Sequence, residues 1–480
     1  MKSNDKSDNI FVNRSLNMAS IATIGFDMDH TLARYHRENF ENLAFRKTLE
    51  KFIEAGYPKE LNELKFNPKF VIRGLLVDRN KGNLLKVDTH KYVKVAYHGH
   101  KKLEKSDRSN LYNAQGYKAD SFLSVDTFFA LSEVQLFTEI VDYMRLNPGS
   151  IEKSFEEVYA DLREFIDLSH RDGSIKNEVL ANLDKYIVKD PELPSMLIKL
   201  IEGGKKLFLL TNSDWIYTNA VMTFLLNDRS EDYPKWQDYF SQSIVSSAKP
   251  TFFTGSSPFY EIVGDSGLLK QHSGPLKEGG VYHGGNAKLF EKLTCKKGDQ
   301  TLYAGDHIYG DIMRSKELLN WRTLLVIEEL DEEFRSLGNT SEGMSKILKE
   351  IKQEESLKSE TQSLRALIST WERRKSLSQQ DEKKVQKFAK KIEVASQSLK
   401  EKESALEAHH KEIGRLVEDR EGSFHPIWGE LMHTGLETSR FAQQIESYAC
   451  LYTTKITNLF YYSPNQKFRS PRDSLPHEFQ

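Results

Sequence analysis

Four apolar runs, ATIGFDMD at 22–29, KLFLLTNSD at 206–214, QTLYAGDH at 300–307 and RTLLVIEEL at 322–330, each end in a polar cluster. An apolar run without alternation reads as a strand buried on both faces, the habit of parallel sheets. Helical patterns fall between these runs: ELPSMLIKLIEGG closes on a Gly pair before the second, and GDIMRSKELLN follows the third. Strands alternating with helices predict an α/β class, a doubly wound parallel sheet, and such sheets bind ligands where their strands exit. The polar residues at the four exits are therefore the first candidates for a site.

At 480 residues the chain exceeds what one hydrophobic core organises. The interval between the first two runs is far longer than one crossover helix requires, so it predicts an inserted domain. The expected division is a core from 1–35 and 190–340, with 424–480 docking back on it, an insertion over 36–189 holding the cap, and a charged helical hairpin over 341–423. A second insertion, Lys249 to Gln300, is rich in Gly and Ser. Val385, Ile392, Leu399, Leu406 and Ile413 recur every seven residues, and the break SLSQQDE, with Ser378 as N-cap, predicts two antiparallel helices. Packing within the chain and a dimeric coiled coil both fit that seam.

Lys plus Arg, 68, nearly cancels Asp plus Glu, 70, so the overall charge gives no reason to expect a nucleic-acid polymer or an anionic membrane as partner. Cys295 and Cys450 are the two cysteines, far apart, which excludes a disulfide framework or cysteine-rich zinc site and predicts a reducing compartment. The stretch MKSNDKSDNIFVNRSL lacks the apolar run of a signal peptide, and no stretch approaches transmembrane length, so a soluble cytoplasmic protein is expected.

In IGFDMDHTLARYH, Asp27 leaves the first strand and Asp29 follows on the turn. An Asp-rich surface turn would look the same locally. The order of the remaining strand ends argues for more: Thr211, then Lys249 in SSAKPTFF, then Asp306 and Asp311 in YAGDHIYGDIMRSK. A phosphoryl group accounts for the whole set, with Asp27 as nucleophile and Asp29 as acid and base. Thr211 and Lys249 would hold phosphate oxygens, and Asp27, a backbone carbonyl near Asp29, and Asp306 would hold Mg²⁺.

DMDHTL, LLTNSD, the isolated Lys249 and GDHIYGD resemble the four motifs of the haloacid dehalogenase superfamily, in its order. FDMDHTLARY, LDKYIVKD, TNSDWIYT, GPLKEGGVYHGGN, AGDHIYGDI, WRTLLVIEEL and FAQQIESYACLYTTKITNLFYY further resemble the cytosolic purine 5′-nucleotidases of the IMP- and GMP-specific type. The resemblance implies a haloacid-dehalogenase-like core with a cap, and Mg²⁺-dependent hydrolysis of purine nucleoside 5′-monophosphates through an aspartyl phosphate, with phosphotransfer to nucleosides as a further outcome. It places Asn212 and Asp311 in support of phosphate and metal, Asp311 by holding Lys249 or a metal-bound water. It gives Phe129 as the base-stacking ring, with Arg163, Asp167, His170 and Lys176 lining the base and sugar side. Arg163 and Asp167 also stand four apart, as a plain helix-surface ion pair does. Ala130 replaces the family's Asn after the stacking ring. At the family's effector site, which binds purine triphosphates, Tyr309 stands for a Phe and Glu317 for a Lys. A homo-oligomer, dimer or tetramer, is expected. A phosphatase for another small phosphomonoester and a non-catalytic scaffold using the hairpin are the rival readings.

Overall fold

The computed structural model describes residues 6–113, 122–295 and 298–471, with the backbone alone at 113 and 339–342. It comprises two compact units, Met1–Asp331 with Glu437–Gln480, and Glu332–Leu436. The first is built on a ten-stranded sheet. Its strands in chain order are β1 (Phe11–Val12), β2 (Thr23–Phe26), β3 (Lys206–Leu210), β4 (Gln242–Val245), β5 (Phe259–Val263), β6 (Leu268–Gln271), β7 (Gly280–Gly284), β8 (Thr301–Gly305), β9 (Arg322–Val326) and β10 (Leu451–Thr453). They lie side by side as β1-β10-β9-β8-β2-β3-β4-β7-β5-β6.

Every pairing from β10 across to β7 is parallel, while β1 and the β5–β6 hairpin close the two edges antiparallel. The four apolar runs are β2, β3, β8 and β9, and they are neighbours at the centre of the sheet. Burial alternates between the two faces as the pleat requires: Leu207 and Leu209 join one apolar cluster, Phe208 and Leu210 the other. Both faces are thus covered, which is why these runs carry no polar alternation. The predicted α/β class with a parallel sheet is the observed one.

Gly25, in the middle of β2, answers a close approach. A Cβ there would lie 2.1 Å from Cζ of Phe208 on the adjacent strand.

Between β2 and β3 the chain builds a second, five-stranded antiparallel sheet from Leu76–Asp78, Asn83–Val87, Val93–His98, Lys101–Lys102 and Leu123–Ser124. Beside it stand three helices, α1 (Arg37–Glu54), α2 (Phe129–Leu146) and α3 (Phe155–Arg171). Phe52 of α1 meets Phe165 of α3 edge-on at 4.8 Å, and a capping box between Ser154 and Glu157 starts α3.

The second unit is a hairpin of α4 (Leu330–Leu377) and α5 (Glu382–Glu421), followed by 422–436. Seam residues Ala395 and Ile413 are buried, and His409–Glu350, Arg365–Glu403 and Lys402–Glu360 pair across the two helices. Ser378 is not the N-cap. Because α5 begins at Glu382, the cap falls to Asp381, whose carboxylate accepts from the Lys384 amide at 3.2 Å, and Ser378 sits in the turn. Among the described residues no helix is long and apolar enough to cross a membrane.

Candidate active site

The polar exits of β2, β3, β4 and β8 converge. Asp27 continues directly from β2, its amide bonded to the Ala304 carbonyl of β8 at 2.8 Å, and its carboxylate accepts from the Met28 amide at 2.7 Å. Lys249, in the loop after β4, reaches Asp27 Oδ1 at 2.8 Å, Asp311 Oδ1 at 2.7 Å and the Tyr303 hydroxyl at 3.0 Å. Burial works against its charge, but Asp27 and Asp311 overcome it and hold the ammonium above the ordinary lysine range.

That loop is tied down by Asn212. Its side-chain oxygen accepts from the Lys249 amide at 2.6 Å and from the Ser247 hydroxyl at 2.9 Å, and its nitrogen donates to the Lys249 carbonyl at 3.0 Å. Asn212, assigned from resemblance to phosphate or metal support, spends its amide on placing Lys249.

Asp27, Asp306 and Asp311 each offer a carboxylate oxygen within 4.8 Å of the others, all three buried. Burial first, then the neighbouring acids, pushes Asp27 and Asp306 well above the usual carboxylate range. Asp306 Oδ2 is buried without a hydrogen-bond partner. Three crowded acids and an orphaned oxygen are what a hard, oxygen-ligated dication would satisfy, so the donor set fits Mg²⁺. Asp29 is expected at the metal through a nearby backbone carbonyl rather than its carboxylate; its side chain lies outside this group, and Asp311 supplies the third carboxylate. Asp29 leaves the strand two residues after Asp27 and turns to other partners.

Those partners define it. Tyr35 donates to Asp29 Oδ1 at 2.6 Å, and the Ser213 hydroxyl donates to Oδ2 at 2.7 Å. The Tyr35 and Tyr217 hydroxyls are 2.9 Å apart. Burial raises the Asp29 pKa against the opposing effect of these bonds. Thr211 is fully buried, its hydroxyl accepting from the Ser213 amide at 3.0 Å and 3.5 Å from Asp29. Tyr35, Ser213, Tyr217 and Tyr303 were not singled out by sequence reasoning. All four lie inside quoted motif stretches, Tyr35 in FDMDHTLARY, Ser213 and Tyr217 in TNSDWIYT and Tyr303 in YAGDHIYGDIMRSK, so the signal was within reach.

A cavity of about 640 Å³ opens beside Asp29. Phe129, Arg163, Asp167, His170 and Lys176 all line it, together with Ala130, Asn212 and Ser213. Phe129 is gripped by aromatic edges, with His30 at 4.9 Å, Phe40 at 5.8 Å and His170 at 6.3 Å. Arg163 pairs with Glu133 at 2.5 Å and Asp167 at 3.2 Å, so it both lines the cavity and forms the helix-surface pair. Lys176 pairs with Asp214. His170 is pushed down to about 4, by burial first and then by Lys176.

Tyr309 stands apart from this cavity. It is 38% exposed, with the Arg314 guanidinium 4.8 Å from its ring centroid and bonded to its hydroxyl at 2.5 Å.

A model of the 5′ nucleotidase family matches residues 10–480. The chain belongs to that family. It is accordingly a phosphoric monoester hydrolase of the 5′-nucleotidase kind. It is similar to a 5′-nucleotidase domain-containing protein of Dictyostelium discoideum, 30% identical over 98% of this chain and 75% of that one. It is also similar to 5′-nucleotidase domain-containing protein 2 of Homo sapiens, 30% identical over 70% of this chain and 65% of that one, so the match leaves about a third of the human protein uncovered. An archaeal β-phosphoglucomutase from a hyperthermophilic Pyrococcus, strain ST 04, shares 13% identity over 64% of this chain and 86% of that one. Its TM-score of 0.30 is too low to bear on fold or function.

Proposed function

We propose that this 5′-nucleotidase hydrolyses purine nucleoside 5′-monophosphates, IMP and GMP before AMP, through an aspartyl phosphate on Asp27. The observation that carries the reading is the cavity: Asp29 and Asn212, from two strand ends, line the same space as Phe129, Arg163 and His170. A nucleotide whose base lies against Phe129 has its phosphate directed toward Asp27 and Lys249. Asp27 attacks phosphorus and the bond to the 5′ oxygen breaks as Asp29 delivers a proton to that oxygen. Asp29 then takes a proton from the water that cleaves the aspartyl phosphate, or from a nucleoside hydroxyl in phosphotransfer. Tyr35 and Ser213 fix Asp29 for both transfers, and Lys249 offsets charge on the transferred group. Asp27 and Asp306, with Asp311 beside them, would hold Mg²⁺, which when bound stabilises negative charge on the phosphoryl oxygens.

A cytoplasmic setting and a homo-oligomer belong to the same reading, the first supported by two free thiols. A purine triphosphate effector at Tyr309 is its least direct part. Arg314 already covers the ring, and Glu317 adds a negative charge nearby, so activation should need more effector than where a Lys stands. Titrating ATP and GTP at subsaturating IMP should show Glu317→Lys lowering the half-activating concentration and Tyr309→Ala abolishing activation. Identical curves for both variants and the wild type would move the effector site elsewhere.

The reading itself is tested by phosphate release across IMP, GMP, AMP, CMP, UMP and sugar phosphates. IMP and GMP should lead in kcat/KM. A sugar phosphate leading would favour the rival phosphatase, and no release from any substrate with Mg²⁺ present would favour the scaffold.

A further inference from the structure

Arg73 belongs to the insertion, just ahead of its sheet, and 0% of its surface is exposed. Its guanidinium is committed to the strand exits of the core. Nε and Nη2 grip the two carboxylate oxygens of Glu329 at 2.7 and 2.6 Å, beyond the end of β9. Nη1 donates to the backbone carbonyl of Asp306 at 2.7 Å, beyond the end of β8. Burial opposes ionisation of Glu329, yet Arg73 holds that carboxyl below its usual range. The guanidinium carbon is 4.0 Å from the centroid of Phe128, and Arg37 lies 5.3 Å from the same centroid. Phe128 immediately precedes Phe129, the first residue of α2 and a wall of the cavity.

One rigid, planar group therefore touches both the residue whose orphaned oxygen fits a dication and the residue that immediately precedes α2. Arginine suits this because its fork donates in fixed directions while its face stacks, and lysine offers neither. We propose that Arg73 is a positioning residue that couples the cation site at Asp306 to the nucleotide platform at Phe128 and Phe129. The inference rests on the site assignment made under the proposed function. A nucleoside seated on Phe129 restrains Phe128, Phe128 restrains the guanidinium, and the guanidinium fixes the backbone that carries Asp306. Coupling between two binding sites is reciprocal, so each ligand tightens the other by the same factor.

Calorimetric titration of the full chain with Mg²⁺, alone and with saturating inosine, reads this factor without turnover, because inosine carries no phosphate. In the wild type inosine should lower the Mg²⁺ Kd by about fivefold, the low end of measured couplings. In Arg73→Lys the Mg²⁺ Kd alone should rise by about tenfold and the inosine effect should vanish. A folded Arg73→Lys protein with wild-type Kd values overturns the proposal, as does a wild type whose Mg²⁺ affinity ignores inosine. If Arg73→Lys does not fold, Phe128→Leu removes the ring beneath the guanidinium and keeps an apolar side chain. Loss of the inosine effect in that variant supports the coupling, and an unchanged effect overturns it. A wild type that binds no Mg²⁺ at all overturns the cation-site reading and this inference with it, whereas Mg²⁺ binding without coupling overturns the inference alone.

Discussion

Asp27 and Asp29 stand two residues apart, yet the fold gives them different company. Asp27 faces an ammonium and two further acids, and Asp29 faces two hydroxyl donors. Asp27→Asn should therefore abolish phosphate release while the chain still folds, and Asp29→Asn should lower it by about 10². Normal turnover by Asp27→Asn with Mg²⁺ present would rule out the covalent route. His170 makes a pH prediction whose sign follows from its depressed pKa. The unfolded chain binds a proton near pH 6.5 and the folded one only near 4, so stability rises with pH between those values and is flat above. Melting temperature against pH should show this rise in the wild type and lose part of it in His170→Asn. His170 remains neutral from about pH 6 to 8, so any change of nucleotide KM over that range should be the same in His170→Asn as in the wild type. Asp27, Thr211 and Asp306 were legible in the sequence because each follows an apolar run, whereas Asp29, Lys249 and Asp311 were read from their order after those strand ends and from the motifs they resemble. The roles of Tyr35 and Tyr217 were not legible, although both stand in motif stretches, because only folding brings hydroxyls 182 positions apart into contact.

Among the elements, the four central strands were readable because burial on both faces leaves an uninterrupted apolar run. The antiparallel edges were not, since β5 and β6 are short, half-exposed and mixed in composition. The Ser378 cap failed because several polar residues of the break can each cap a helix, and the helix start decides among them. Gly25 carries a prediction of its own. With a Cβ 2.1 Å from the Phe208 ring, Gly25→Ala must displace that ring or part β2 from β3. It should cost about 1–3 kcal/mol in denaturant unfolding and lower kcat, because Asp27 leaves the same strand. An unchanged unfolding midpoint would mean that the ring moves freely.

Across the whole molecule, the site draws on the core for its acids and on the insertion for its cavity. Chelation should stop phosphate release, and Asp306→Asn should raise the Mg²⁺ requirement by about tenfold or more, read as activity against free Mg²⁺. Undiminished hydrolysis in excess chelator would contradict the cation site. The order of strands has a further consequence, in time rather than in space. β2, which carries Asp27, is flanked by β3 and by β8, so its neighbours come from residues 206–210 and 301–305, and β1 pairs only with β10 at 451–453. Contacts so distant along the chain must close long loops before any burial rewards them, which makes for slow folding. On a ribosome, β2 emerges well before β3 and β8, and β1 well before β10, and each waits with open edges until its partner follows, the state in which strands find wrong partners. The strand that leads into Asp27 is thus made long before the two strands that hold it in place.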